Sequence, residues 1–505
     1  MKSIENSKAK KKKVIKVLGL VGLFVLVFGL SYALFSITLT GKKKTRISTA
    51  SFKLELLDKN NQSIEKTNNN EYEYEINLDN ALPTSDEEGT SQEGFTFKLK
   101  NSGAIAANYT LYLDNAELED GESRLDDQYV KYSLIKNGSI DYPEPLTYLG
   151  TSSDRKLDMG LIKPGETNTY TLKIWIDYDA GIEASNKVFN TVLRVDGTQQ
   201  TKSFENNTFA KTTIDDNNIL EIEDVPNGFN EEKEENGLYK YTDDDGTTTY
   251  AFRGTDINNY VTFAGETWRI IRIQEDGTVK LIKENLLNFI SSKNEILRDG
   301  YAIVEYNDVE SNEENGFNKY LNSNIERYTN EWYDAVMKTY GSKITVNEYC
   351  SDSYENTENS LNQLFVQNFG LSPARGFLSR GDATKFLQTG NANDVTIQPS
   401  ISCASGDKVY RKAALVTADE YVLSGGGITP DMSATPSYLN NNTFFWTMSP
   451  AGYEAKVVSY AVLPFNSITF SPIYSSFYVR PVIALKSDVT AISGNGTVDN
   501  PYVIE

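Results

Sequence analysis

Four aromatic side chains fall within eleven residues, TFFWTMSPAGY at 443–453, of an otherwise polar chain. They are Phe444, Phe445, Trp446 and Tyr453. Successive side chains of a strand point to opposite faces, so Phe444 and Trp446 are expected on one face and Phe445 on the other. We expect Trp446 to lie in the core and Phe445 and Tyr453 to face outward. These three rings are the candidate ligand-binding residues.

Arg480 is the fourth candidate for ligand binding. It lies in the apolar run YVRPVIALK, between Val479 and Pro481. A buried guanidinium needs a carboxylate or carbonyl partner. The sequence therefore favours a structural ion pair for Arg480, and the binding of an anionic ligand stays open.

The chain contains no histidine and two cysteines, which excludes a histidine-based catalytic triad, a histidine-ligated zinc and a four-cysteine metal site. The run Asp243–Asp245 before Gly246 suggests calcium. In an EF-hand alignment, however, Tyr241 and Phe252 occupy positions that need oxygen ligands. We assign no catalytic residue, no metal ligand and no cofactor, and calcium remains possible without a motif.

The charge of the chain is strongly negative and unevenly distributed. Residues 1–46 hold eleven of the 49 basic residues and one of the 70 acidic ones, so the remainder carries 38 basic against 69 acidic side chains. Such a surface repels polynucleotides. We expect no nucleic-acid partner.

Residues 17–41 carry no charged side chain and are long enough, as a helix, to cross a bilayer. Seven lysines precede this span and four basic residues follow it, which predicts a cytoplasmic tail at 1–16 and an extracellular body. The alternative is a signal segment, because Ser31 and Ala33 have the spacing of a cleavage site near Ala33. Export is expected in both cases, with a single-pass membrane protein in the first and a secreted protein in the second.

Export makes a disulfide between Cys350 and Cys403 the expected state of the two cysteines. Closing this loop of roughly 50 residues is worth about 4 kcal/mol in the chain-entropy model. The alternative is two buried free thiols.

Residues 47–198 show the alternation of short strands separated by turn signals, which predicts an all-β sandwich. The stretches FKLKNSG, GLIKPGETNTYTLKIWID and TVLRVDGTQ, together with GLSYALFS in the leader, resemble the camelysin and TasA-like exported proteins of Gram-positive bacteria. That resemblance implies processing near the leader and, in some relatives, matrix fibres assembled by strand exchange. Self-assembly is therefore possible.

Residues 199–235 are polar and acidic and are interpreted as a linker. Residues 236–505 predict an α+β body, with hairpin turns at Asp245-Gly246 and Asp276-Gly277 and a helical stripe after residue 318. Its stretches NNYVTFAGETWRIIRIQEDGTVKLI, KAALVTADEYVLSGGG, FFWTMSP and YVRPVIALKSDV resemble a C-type-lectin-like domain of Gram-positive surface proteins, related in fold to formylglycine-generating enzymes. The two cysteines lack the catalytic spacing of those enzymes, so their activity is not implied.

The expected protein is multidomain: an N-terminal transmembrane helix, an all-β sandwich and an α+β C-type-lectin-like domain. Its expected function is a membrane-anchored surface module for binding or adhesion, with a glycan, a wall polymer or a protein as ligand. One alternative is a subunit of an extracellular matrix fibre. Another is a hydrolase of cell-wall polymers that acts through a pair of carboxylates, which the sequence does not identify. The adjacent Asp419 and Glu420 are not such a pair, because the side chains of neighbouring residues diverge.

Overall fold

The computed structural model divides the chain into two compact units. Unit 1 comprises residues 1–134 and 145–201, and unit 2 comprises residues 135–144 and 202–505. The described residues are 36–40, 52–64, 76–78, 81–199, 204–223, 225–226, 228–230, 232–243, 246–307, 320–352, 396–397, 399, 401, 407–427, 437–440, 442–450, 458–462 and 468–505. They are mostly β structure with few helices, as the sequence predicts.

The described part of the first 199 residues contains ten strands, one short α-helix and three 3-10 turns. The strands are β1 (Ser36–Thr40), β2 (Leu54–Asp58), β3 (Ile76–Asn77), β4 (Phe95–Asn101), β5 (Ala107–Asn115), β6 (Val130–Lys136), β7 (Glu144–Pro145), β8 (Lys156–Ile162), β9 (Thr167–Ile176) and β10 (Asn190–Gln199). The helix is α1 (Asp86–Ser91), and Ser85 caps it by accepting a hydrogen bond from Glu88 N.

These strands form two five-stranded sheets with one shared core. One sheet has the order β1-β10-β5-β8 with β3 on β10, and the other has the order β2-β4-β9-β6-β7. In β5 the side chains of Tyr109, Leu111 and Leu113 are buried and the residues between them are partly exposed. The strands β4 and β9 alternate in the same way and bury Leu99 and Tyr170 in the same core. The described residues of this part of the chain are thus mostly β structure.

The end of the uncharged span 17–41 is a strand and not a helix. Strand β1 pairs antiparallel with β10, from Ser36 opposite Thr198 to Thr40 opposite Arg194. A helix that continues to residue 41 is therefore wrong for this last part, because the backbone groups of 36–40 are used in a sheet ladder. Its sequence, SITLT, is rich in β-branched residues, which favour strands. Residues 1–35 lie outside the described part of the chain.

No helix among the described residues is both long and apolar enough to cross a membrane.

The strands of unit 2 that the structure describes are β11 (Ile219–Glu221), β12 (Val225–Pro226), β13 (Gly237–Thr242), β14 (Thr248–Arg253), β15 (Tyr260–Phe263), β16 (Glu266–Ile273), β17 (Val279–Lys283), β18 (Ile296–Arg298), β19 (Tyr301–Glu305), β20 (Asn347–Asp352), β21 (Thr396–Ile397), β22 (Asp407–Arg411), β23 (Ala413–Ala414), β24 (Phe445–Pro450), β25 (Val458–Val462), β26 (Ile468–Pro472), β27 (Ser476–Tyr478), β28 (Val482–Leu485) and β29 (Tyr502–Ile504). The α-helices are α2 (Phe209–Asp216), α3 (Asn324–Trp332) and α4 (Ala418–Leu423).

Two sheets dominate unit 2. The larger has the order β11-β13-β14-β16-β17-β28-β23, with β15 on β16 and β29 on β15. The smaller has the order β18-β19-β27-β24-β25-β26. The two predicted hairpins are confirmed: β13–β14 and β16–β17 turn at Gly246 and Gly277, whose positive φ values of 83° and 87° suit glycine. One continuous core joins these sheets and the helices.

The expectation that residues 199–235 form a linker is wrong for much of this segment. Helix α2 places Phe209 in the core of unit 2, where its ring meets that of Tyr502 with centroids 5.4 Å apart. Val225 and Phe229 are also buried. A few large apolar residues anchor the segment although its average composition is polar and acidic.

The predicted helical stripe after residue 318 is correct up to Trp332. Ile325, Tyr328 and Trp332 are buried on one side of α3. A π-helical turn then spans Tyr333–Met337. The wider turn shifts the register, so Met337 is buried and Val336 is 43% exposed.

Candidate functional site

Arg480 is enclosed by unit 2 and makes structural contacts. Its Nε donates to the carbonyl oxygen of Lys283 at 2.9 Å, its Nη1 donates to that of Leu439, and its Nη2 lies 3.3 Å from Glu284 Oε2. The guanidinium also lies 5.2 Å from the centre of the Phe445 ring. Burial lowers the pKa of Arg480 to about 10. The geometry corresponds to the ion-pair interpretation of this residue.

Phe445 is buried, and the expectation that its ring faces outward is wrong. Strand β24 is covered on both faces: Phe445 lies under Arg480 on one face, and Trp446 is buried on the other. The indole Nε1 of Trp446 donates to the carbonyl oxygen of Val304 at 2.9 Å. Tyr306 packs edge-on against the same indole with ring centres 5.3 Å apart. Trp446 is therefore core, as expected, and neither ring offers a ligand a surface.

Phe444 is the ring of this stretch that faces solvent, with 40% of the residue exposed. It stacks on the half-buried Phe477 of β27, with ring centres 5.4 Å apart and planes inclined by 17°. Phe477 in turn lies 4.7 Å from the ring of Trp446. The backbone also fixes this position, because Tyr478 N donates to Phe444 O at 3.0 Å. We call Phe444 and Phe477 the aromatic pair.

A further exposed ring lies close to the aromatic pair along the chain. Tyr474 occupies the turn between β26 and β27 and is 56% exposed. Ser475 N closes this turn by donating to the carbonyl oxygen of Pro472 at 2.9 Å. The sequence alone does not identify Phe444, Phe477 or Tyr474 as binding residues. In SSFYVRP, the alternation of side chains along a strand places Phe477 and Val479 on one face and Tyr478 and Arg480 on the other. This alternation is the sequence signal that could have identified Phe477.

Tyr453 and Cys403 lie outside the described residues. Cys350 lies in β20, which pairs with β22. The Cys350–Cys403 disulfide therefore stays a prediction.

The carboxylate of Glu420 is buried in unit 2, where it accepts hydrogen bonds from neighbouring residues. Its Oε1 accepts from Arg272 Nε at 2.8 Å and from Lys280 Nζ at 3.3 Å. Its Oε2 accepts from Thr417 N at 3.1 Å, as part of the capping box that begins α4. The neighbouring Asp419 is also buried. The structure thus gives Glu420 a structural role.

The pKa values in this cluster follow from burial and from the neighbouring charges. Burial alone would raise the pKa of Glu420, but the charges of Lys280 and Arg272 outweigh it and hold that pKa at about 2. Burial, reinforced by the charge of Arg272, lowers the pKa of Lys280 to about 8.

The part of the chain that the structure describes contains no group of three or more cysteine, aspartate or glutamate side chains arranged to hold a metal ion. Asp243, the described member of the aspartate run, is buried, and its Oδ2 accepts from Ile401 N at 3.0 Å.

Comparison with protein-family models, with curated proteins and with solved structures found no match to this chain.

Proposed function

We propose that the protein is an exported, membrane-associated surface protein of a Gram-positive bacterium, and that unit 2 binds an extracellular glycan, wall polymer or protein. The observation that carries this proposal is the aromatic pair. Phe444 presents a ring to solvent on a support that the backbone bond to Tyr478 and the contact with Phe477 hold in place. Rigid exposed rings are typical anchors of binding surfaces, because they bury much apolar area at little cost in conformational entropy.

The sequence supports the rest of the proposal. The basic tail at 1–16 and the uncharged residues 17–35 direct export, by retention in the membrane or by cleavage near Ala33. The resemblances of the two bodies to camelysin and TasA-like proteins and to C-type-lectin-like domains favour display and binding over catalysis. The net negative charge of the exported part favours ligands that are neutral or basic.

Binding by residues 36–505 to cell-wall and glycan preparations tests this function. Phe444→Ala and Tyr474→Ala should each weaken retention, and Tyr178→Ala, which removes an exposed ring of unit 1, should not. Thermal unfolding of each variant checks that the fold is intact. Equal retention of the wild type and Phe444→Ala would contradict a role for the aromatic pair. Release of sugars or peptides would favour the hydrolase instead.

A second candidate function, the matrix fibre subunit, is favoured by the position of β1. Strand β1 (Ser36–Thr40) is the terminal one in the order β1-β10-β5-β8, where it pairs with β10. A strand from a second copy could take its place without disturbing the other strands. Electron microscopy of residues 36–505 separates the candidates, since fibres favour the subunit and monomers favour the binding module.

A further inference from the structure

Residues 135–144 belong to unit 2, although the chain on both sides of them belongs to unit 1. The segment begins with a tight turn in which Asn137 and Gly138 have φ values of 49° and 78°. Ser139 N closes the turn by donating to Lys136 O at 2.9 Å. Two consecutive positive φ values are typical of Asn-Gly turns between strands. The turn precedes the remaining residues of the segment, which include Tyr142 and Glu144.

Tyr142 is the apolar anchor of this segment. It is 4% exposed and is part of the core of unit 2. Its ring meets that of Tyr333 nearly at right angles, with centres 5.6 Å apart. Its hydroxyl oxygen accepts from Lys412 N at 3.2 Å.

Glu144 is the charged anchor. Its Oε1 pairs with Lys412 Nζ, and the two residues are 3% and 5% exposed. The ammonium also lies 5.4 Å from the ring centre of Tyr142 and 6.0 Å from that of Tyr333. Loss of the carboxylate would leave a buried ammonium without its charged partner, which is strongly unfavourable.

Unit 2 has a recess shaped for these side chains. A Cβ atom at Gly341 would lie 2.2 Å from Glu144 Oε1, so glycine leaves room for the carboxylate in its observed position. At the other end of the segment, the side chain of Asn137 is hydrogen-bonded to Tyr410. The recess is defined by Tyr333, Gly341, Tyr410 and Lys412.

We propose that unit 2 holds residues 135–144 as an internal ligand, and that this attachment survives a break in the chain between Thr201 and Lys202. The buried tyrosine, the buried ion pair and the matched glycine are interactions that a noncovalent complex also uses. If unit 2 is the binding module proposed above, a protease that cuts at this junction outside the cell leaves the module in place. That consequence rests on the proposed function, whereas the attachment itself does not.

A specific protease site inserted between Thr201 and Lys202 of the full chain tests the attachment. After cleavage, size-exclusion chromatography at micromolar concentration should show the two fragments eluting together, and denaturant should separate them. Separation of the native wild-type fragments would overturn the proposal.

Paired variants test which residues are responsible. Tyr142→Ala combined with Glu144→Gln should weaken association of the cleaved fragments at least tenfold. The matched control, Tyr178→Ala with Glu183→Gln, changes the same residue types at exposed positions of unit 1 and should leave association unchanged. Circular dichroism before cleavage shows whether each variant is folded. If the folded Tyr142/Glu144 variant stays fully associated, other parts of the chain hold the fragments and the proposal is wrong.

Discussion

At the scale of single residues, buried arginines in unit 2 bind backbone carbonyl groups as well as carboxylates. Arg253 donates to the carbonyl oxygens of Val422 and Gly228 at 2.9 and 2.7 Å and pairs with Glu234, much as Arg480 does with its own partners. The apolar surroundings of Arg480 predict an ion pair, but its partners are distant in sequence and cannot be identified from it.

The alternation of side chains in β24 predicts which rings share a face, but not how much of each face is covered. The sequence predicts an exposed Phe445 because strands are often covered on one face only. In β24 the second face is buried as well, where Arg480, between strands β27 and β28, lies over the ring of Phe445. This tertiary burial cannot be deduced from TFFWTMSP alone.

The cluster of Glu420, Arg272 and Lys280 predicts that unit 2 becomes less stable at acid pH. The folded pKa of Glu420, about 2, lies below its ordinary value of 4.5, so its contribution is present above 4.5 and is lost as the pH falls toward 2. Glu420→Gln should lower the free energy of unfolding near neutral pH by about 3 kcal/mol and flatten its decline between pH 4.5 and 2. Urea unfolding at several pH values measures both effects.

Lys280 also makes the stability rise with pH, but in a higher pH window. Its folded pKa of about 8 lies below 10.5, so its unfavourable contribution is present below pH 8 and fades as the pH rises toward 10.5. Glu221→Gln, at an exposed position, is the control and should change neither window. Identical acid profiles for Glu420→Gln and the control would contradict the assigned role of the cluster.

At the scale of elements, short sequence motifs predict the local structure correctly, whereas the average composition of a segment does not. The Asp-Gly pairs located two hairpins because one positive φ at glycine determines the turn. The acidic average of residues 199–235 concealed Phe209 and Val225, which place helix α2 and strand β12 in unit 2. The uncharged run 17–41 likewise concealed β1, since absence of charge does not distinguish a membrane helix from a strand.

Two truncations test the contribution of β1. A chain that begins at Ser36 retains the strand, and a chain that begins at Lys42 lacks it. We expect the shorter chain to melt several degrees lower, because β10 loses the pairing from Ser36 to Thr40. Since about 1 kcal/mol shifts a domain of this size by roughly 2–4 °C, calorimetry resolves the difference. Equal melting temperatures for unit 1 would show that β1 adds nothing to its stability.

At the scale of the whole molecule, the sequence predicted a mostly β chain with more than one domain, and the structure has this character. It did not predict that unit 2 includes residues 135–144. The segment IKNGSIDYPE contains a turn signal and one tyrosine, which fits any surface hairpin. The segment packs against Lys412 and Gly341, which lie about 200 or more residues later in the chain.

The proposed export of the protein predicts a Cys350–Cys403 bond. Thiol titration of the denatured, unreduced protein should find no free thiol, and Cys350→Ser should lower the melting temperature of unit 2 by several degrees. Ser351→Ala, next to the same cysteine, serves as the control. Two titratable thiols in the freshly purified protein would indicate that the cysteines remain reduced.

The division of unit 2 into two stretches of chain has a consequence for its inheritance. A domain encoded by one uninterrupted stretch of a gene can be copied into another gene by a single recombination event. Ten residues of unit 2 are encoded ahead of residues 145–201, within the reading frame of unit 1. A fragment that encodes only residues 202–505 would omit Tyr142 and Glu144, so the new host would receive an incomplete domain. We therefore expect natural fusions and duplications to transmit the two units together.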